Sequence, residues 1–210
     1  MSPTPKTVAA FDFDGTLTRS DTLGPFLREV CGTSRLVRAL VADAPRLVLA
    51  GIGAGSRDEA KERMLRRLLG RREHADLAAK GAEYGARIAK TGIRPEMLER
   101  LRWHADEGHE IAIVSASLDL YLERTAAALG IGTLLCSRMD VDADGRVTGK
   151  LIGGNCRGPA KLRRIREHFG EGGYELWAYG DSAGDAEMLA AADHPVRVHH
   201  RTGRLRLPTP

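Results

Sequence analysis

Four apolar residues, Val8-Ala9-Ala10-Phe11, run straight into Asp12-Phe13-Asp14-Gly15-Thr16. An uninterrupted apolar run this short reads as a strand buried on both faces, and such strands belong to parallel sheets covered by helices. The acids and glycine then form the loop at the strand's carboxyl end. The pattern recurs. Ile111-Ala112-Ile113-Val114 delivers Ser115, Ile131 to Cys136 has strand character, and Leu176-Trp177-Ala178-Tyr179 runs into Gly180-Asp181. Pro195 to Val198 reads as a short edge strand. Helical spacing over Pro95–Glu107 and Leu118–Leu129 stops at Gly108 and Gly130. Strands alternating with helices predict an α/β fold, a Rossmann-like, mostly parallel sheet with helices on both faces.

Between residues 19 and 91 the pattern changes. Helical stretches fall at 22–31, 34–50, 57–70 and 73–90, with no strand among them. This predicts a helical cap of residues 19–91 inserted after the first strand, and a catalytic core of 1–18 and 92–210. Met139 to Ile152 alternates as a hairpin with Asp144-Gly145 at its turn. Asp140-Val141-Asp142-Ala143-Asp144-Gly145 copies the opening of an EF-hand calcium loop. Its twelfth position is Leu151 where a bidentate Glu is needed, so calcium is not expected.

Composition narrows the partners. A hydrophobic content of 42% with 29% charged residues fits a soluble globular chain, and 210 residues suffice for one domain plus a modest insertion. Aromatics at 5% provide no stacking platform, so nucleic acid is not an expected partner. A net charge of +4 attracts anions without naming one. Cys31, Cys136 and Cys156 are odd in number and lack metal-ligand spacing, which suits reduced thiols and a cytoplasmic location. Residues 1–6 do not resemble a secretion signal. Leu36 to Ile52 is the most apolar segment, but Arg38, Asp43, Pro45 and Arg46 interrupt it. A bilayer span needs about 20 apolar residues, so contact with a membrane surface is the minor alternative. His194, His199 and His200 read as surface histidines without an acidic partner. No heptad or apolar patch sets an oligomeric state.

Open parallel sheets bind ligands at the carboxyl ends of their strands. Asp12 and Asp14, Ser115, and Asp181 with Asp185 one turn later all fall there. Carboxylates repel a phosphate, so a divalent cation and a basic side chain must complete such a site. Mg²⁺ takes one or two protein carboxylates together with phosphate oxygens and water, and Asp12 and Asp181 can supply them. With the charge neutralised, an aspartate can attack phosphorus. Lys161, just inside a helix after Gly158-Pro159-Ala160, is the source of positive charge. The Ser115 hydroxyl and the main-chain N–H groups of the Asp14–Gly15 turn can donate to phosphate oxygens.

These segments carry a family likeness. Phe11-Asp12-Phe13-Asp14-Gly15-Thr16-Leu17-Thr18 resembles the first motif of the haloacid dehalogenase superfamily of phosphatases. Ile113-Val114-Ser115-Ala116-Ser117 resembles its second, Lys161 its third, and Gly180-Asp181-Ser182-Ala183-Gly184-Asp185 its fourth. The helical insertion is similar to the cap of subfamily IB, the branch containing phosphoserine phosphatase, and Asn155-Cys156-Arg157-Gly158 resembles a subgroup of it. The resemblance implies an aspartyl-phosphate on Asp12, with Asp14 protonating the leaving oxygen and then activating water. It implies Mg²⁺ held by Asp12, the main-chain carbonyl of Asp14, and Asp181. Ser115, Gly15 and Lys161 would bind the phosphate, Asp185 would orient Lys161 or a metal-bound water, and Thr16 would brace the loop. Asp21 and Arg63 would grip the substrate beneath a cap that closes over it. Asp21 stands where phosphoserine phosphatases carry a glutamate, and Ala116-Ser117 where they carry two glycines. The expected substrate is a small phosphorylated metabolite, phosphoserine remaining one candidate that these two changes disfavour. The alternatives are a lipid phosphate, such as phosphatidylglycerophosphate or lysophosphatidate, or phosphoryl transfer to an acceptor alcohol.

Overall fold

β1 (Lys6–Phe11) lies at the centre of a seven-stranded sheet in a computed structural model that describes residues 6–51, 57–199 and 201–206. After a turn over residues 13–17 come four helices, α1 (Leu23–Cys31), α2 (Thr33–Gly51), α3 (Arg57–Leu69) and α4 (His74–Thr91). The chain continues through α5 (Pro95–Asp106), β2 (Glu110–Leu118), α6 (Asp119–Ala128), β3 (Thr133–Val141) and β4 (Val147–Ile152). It ends with α7 (Pro159–Phe169), β5 (Tyr174–Gly180), α8 (Ala186–Ala190), β6 (His194–Val198) and β7 (Leu205–Arg206). The strand order is β4-β3-β2-β1-β5-β6-β7, parallel except for β4 and β7 at the two edges. The predicted α/β, mostly parallel sheet is what forms.

Both faces of the central strands are buried, which is why their sequences do not alternate. Ala9, Phe11, Ile113 and Tyr179 join one apolar core, with Leu77 and Ile88 of α4 and Met97 of α5. Val8, Ala10, Ala112, Val114 and Ala178 join the other, with Ile165 of α7 and Met188 of α8. β2 pairs with one edge of β1 and β5 with the other, so the winding of the sheet reverses at β1. A crevice opens at such a switch point, beyond the carboxyl ends of the strands.

Two strand ends differ from the sequence expectation. β2 continues past Ser115 to Leu118, and its pairing with β3 shifts register between those residues. An irregularity of this kind re-aims the residues inside it, here Ala116 and Ser117. β6 is not the edge, because β7 pairs antiparallel outside it through Arg197↔Arg206 and Val198↔Leu205. A two-residue strand has no periodicity to read. The Asp140–Leu151 hairpin spends its acids on itself: Asp142 Oδ1 accepts from the amides of Asp144 at 3.1 Å and Arg146 at 2.8 Å.

The helical insertion is sewn to the sheet. Its two crossings meet in an antiparallel bridge between Thr18 and Ile93. The α3–α4 connection pairs with β4 main chain: Arg71 N donates to Val147 O at 2.8 Å, Val147 N to Arg72 O at 2.9 Å, and His74 N to Gly145 O at 2.9 Å. Helix α4 packs on α6 at backbone distance, because a Cβ on Gly81 or Gly85 would collide with the carbonyls of Leu120 and Tyr121. On α2, Asp43 is buried against Arg67 of α3 at 3.0 Å, whereas Val37, Leu40 and Val41 are exposed. Ile52 lies outside the described residues. No helix among the described residues is long and apolar enough to cross a membrane.

Gly85→Ala gains helix propensity yet must push α4 off α6, so it destabilises by about 1–3 kcal/mol. Gly132→Ala, with open space at its Cβ, stays within about 0.5 kcal/mol. Urea unfolding of both variants checks the contrast.

Candidate active site

Strand register brings the acids together. Phe11 pairs with Ile113 of β2 and with Tyr179 of β5. Two residues beyond each pair lie Phe13, Ser115 and Asp181, so Ser115 and Asp181 flank the turn carrying Asp12 and Asp14. Gly15 completes that turn at φ +84°, where a side chain is strained, and a Cβ there would overlap the Asp181 carboxylate. Glycine at position 15 thus admits Asp181 to the turn. Thr16, fully buried, donates from Oγ1 to Asp181 Oδ1 at 3.5 Å.

Lys161 reaches the cluster from the first turn of α7 and is buried to 2% exposure. Its ammonium donates to Asp12 Oδ1 and to Asp185 Oδ1, both at 2.5 Å. The other oxygen of Asp185 accepts from the Ser182 amide at 3.0 Å and the Ser182 hydroxyl at 2.9 Å, closing a capping box after β5. Asp185 therefore fixes Lys161 and the Asp181 turn at once. Burial pushes the Asp12 carboxyl up to about 7 against the pull of Lys161. Burial alone lowers the Lys161 ammonium, but Asp12 and Asp185 more than reverse this and raise it.

Asp14, two residues on, meets neutral donors instead. Its Oδ1 accepts from the Thr22 amide at 2.8 Å and the Thr22 hydroxyl at 2.7 Å, and its Oδ2 accepts from the Ser117 hydroxyl. Burial outweighs these bonds and lifts its carboxyl to about 6. Ser115 Oγ accepts from the Ser117 amide at 3.0 Å. Ser117, which the sequence marked only as a departure from a pair of glycines, is thus the partner of Asp14. The register shift in β2 that delivers it leaves no mark in the sequence.

Asp12, Asp181 and Asp185 each offer a carboxylate oxygen within 4.8 Å of the others. Hard oxygen donors in this number suit Mg²⁺. With Asp14 there are four carboxylates and one ammonium, an excess of negative charge that fits a divalent cation.

Beside Asp14 opens a cleft of about 220 Å³, lined by Asp14, Asp21, Leu23, Lys61, Ala116, Ser117, Asn155 and Arg157. Asp21 is in it, with Oδ1 accepting from the Gly24 amide at 2.9 Å. Arg63 does not line it, and its buried Nε has no hydrogen-bond partner among the described residues. Lys61, two residues earlier on α3, does. Its ammonium donates to the Ala116 carbonyl and to Asn155 Oδ1 at 2.8 Å, and Asn155 Nδ2 donates to Asp58 Oδ1 at 2.8 Å. Burial lowers the Lys61 ammonium to about 8, opposed by Asp14 and Asp58. His194 lies far from this chemistry, on β6. It stacks on Trp177 and, unlike the sequence expectation, has an acidic partner in Glu175 at 2.5 Å. His200 lies outside the described residues.

The sequence signature of haloacid dehalogenase-like hydrolases matches residues 9–190. Protein CicA of Caulobacter vibrioides is 35% identical over 186 residues, covering 89% of this chain and 83% of that one. A protein of unknown function from Bordetella pertussis Tohama I superposes with a TM-score of 0.78 at 24% identity, covering 92% and 90% of the two chains. A substrate-bound phosphoserine phosphatase superposes with a TM-score of 0.61 at 20% identity, covering 90% and 84%. The acids, the lysine and the serine described above all fall within the matched span, and the chain belongs to the haloacid dehalogenase-like hydrolases.

Proposed function

We propose that this protein is a Mg²⁺-dependent phosphomonoester hydrolase that forms an aspartyl-phosphate on Asp12 and acts on a small phosphorylated metabolite. The observation that carries this reading is the unlike treatment of two acids two residues apart. Asp12 is held by a buried ammonium, whose pull opposes the rise that burial imposes on its carboxyl, and a divalent cation beside it would add to that pull. Asp14 meets hydroxyls and an amide, which favour its charged form, but burial outweighs them and lifts its carboxyl to about 6, so it can release a proton and later take one back.

The residues then divide the work. An Asp12 carboxylate oxygen attacks phosphorus, the bond from phosphorus to the ester oxygen breaks, and Asp14 gives its proton to the leaving alcohol. Asp14, now a carboxylate, takes a proton from water. The water oxygen attacks the acyl phosphate, the phosphorus–Asp12 bond breaks, and inorganic phosphate leaves. Ser115 and the main chain of the Asp14–Gly15 turn hold phosphoryl oxygens, Lys161 steadies Asp12, and Asp185 with Thr16 keeps Lys161 and Asp181 in place. Mg²⁺, held by Asp12, Asp181 and the Asp14 carbonyl, supplies neutralisation of the phosphoryl charge. The rest of the substrate lies in the cleft under Lys61, between Asp21 and Arg157. A second reading, a lipid phosphate, draws support from exposed Val37, Leu40 and Val41 on α2. A panel of soluble phosphomonoesters assayed beside lysophosphatidate decides between the two.

Asp12→Asn abolishes Mg²⁺-dependent turnover of p-nitrophenyl phosphate while the thermal melt is kept; continued turnover would remove Asp12 as nucleophile. With saturating Mg²⁺ to keep Asp12 ionised, kcat/KM on an alkyl phosphate reports formation of the aspartyl-phosphate, so it declines as pH rises and Asp14 loses its proton above about 6. Ser117→Ala removes a bond that favours the charged carboxylate. The declining limb then moves to higher pH, by about one unit. A limb that stays put in that variant excludes Asp14 as the acid. Lys61→Met raises KM for the best substrate of the panel roughly tenfold and leaves kcat within about threefold, whereas Arg63→Ala leaves KM unchanged.

A further inference from the structure

Arg94 is where the helical insertion rejoins the sheet, directly after the Thr18–Ile93 bridge. It is 2% exposed and the largest fully buried side chain among the described residues. Its amide donates to Leu17 O at 2.9 Å, its Nε to Thr18 O at 3.1 Å, and its Nη2 to Gly15 O at 3.2 Å. Nη1 stands 3.6 Å from Glu96 Oε1. One residue thus holds three carbonyls of the four-residue stretch 15–18, the back of the turn whose front carries Asp12 and Asp14.

A buried guanidinium is a costly filler, because several kcal/mol of hydration must be replaced. An apolar side chain would fill the volume without that cost. What the guanidinium adds is a planar fork that grips two carbonyls three residues apart, which a single ammonium does not match. The Gly15 carbonyl belongs to the peptide joining Gly15 to Thr16. Gly15 is at φ +84° and Asp14 at φ −74°, ψ 120°, so this peptide is fixed neither by a helix nor by a strand ladder. Rotating it swings Asp14 on one side and the Thr16–Asp181 contact on the other.

We propose that Arg94 is a positioning residue for proton transfer: its hold on the Gly15 and Thr18 carbonyls aims the Asp14 carboxyl at the leaving oxygen and ties that aim to the root of the helical insertion. This rests on the phosphohydrolase reading of Asp12 and Asp14. A misaimed acid hurts poor leaving groups more than good ones, which a general loss of folding does not.

Arg94→Lys and Arg94→Met are compared with wild type on an alkyl phosphate and on p-nitrophenyl phosphate, with Mg²⁺, alongside thermal melts. The expected result is a loss of roughly 10- to 100-fold in kcat/KM for the alkyl phosphate and less than about threefold for p-nitrophenyl phosphate. Arg94→Lys is expected to melt as a cooperative fold and to show the same imbalance. Equal losses on both substrates, no loss on either, or failure of both variants to fold would make Arg94 structural and overturn the positioning role. Asp12→Asn assayed beside them separates the two readings. Its loss of turnover, with equal losses in the Arg94 variants, removes the positioning role alone. Wild-type protein inert towards both phosphates removes the phosphohydrolase reading and the positioning role together.

Discussion

The buried ammonium of Lys161 is the interaction on which the site depends. Asp12 ends β1, Asp185 follows β5, and both would repel each other and Asp181 without a shared counter-charge. Three ionised groups in one dry pocket cost several kcal/mol of hydration each, offset only where geometry is close. Here both ammonium–carboxylate distances are 2.5 Å. The arrangement also explains why α7 starts where it does. Gly158, at φ +57°, turns the chain, Pro159 opens the helix, and Lys161 follows in the first turn, pointing back at β1.

Much of the sheet was legible because its strands are apolar on both faces and end on polar residues. The order of Asp12, Ser115, Lys161 and Asp181 along the chain follows from that architecture, and so does their meeting at one end of the sheet. What was not legible depends on contacts between distant segments. Ser117 meets Asp14 through a register shift that arises only when β2 pairs with β3. Lys61 rather than Arg63 reaches the cleft, because the phase of α3 against the core is set by packing on β4. In the sequence both are cations in a run of arginines. β7 is two residues long and pairs only because the chain turns back at Thr202-Gly203.

The two acids of the turn differ in their partners more than sequence spacing suggests. Both are buried, and burial raises both. The difference lies in the partners: a fixed positive charge for Asp12, and three uncharged donors for Asp14. Neutral donors limit the rise without cancelling it, and so leave a carboxyl that can hold and release a proton close to neutral pH. The same turn is gripped from behind by Arg94, so its charge pattern and its shape are set by different parts of the chain.

The pairing of residues 71–74 with β4 has a consequence for how the molecule behaves among its copies. β4 ends the sheet, and an uncovered edge strand offers its amides and carbonyls to any passing chain. Here Val147 gives both its amide and its carbonyl to the α3–α4 connection, and Gly145 its carbonyl. The insertion therefore guards the start of this edge, though not the β7 edge, against edge-to-edge association. A chain that lost residues 71–74 would expose a sticky border along β4.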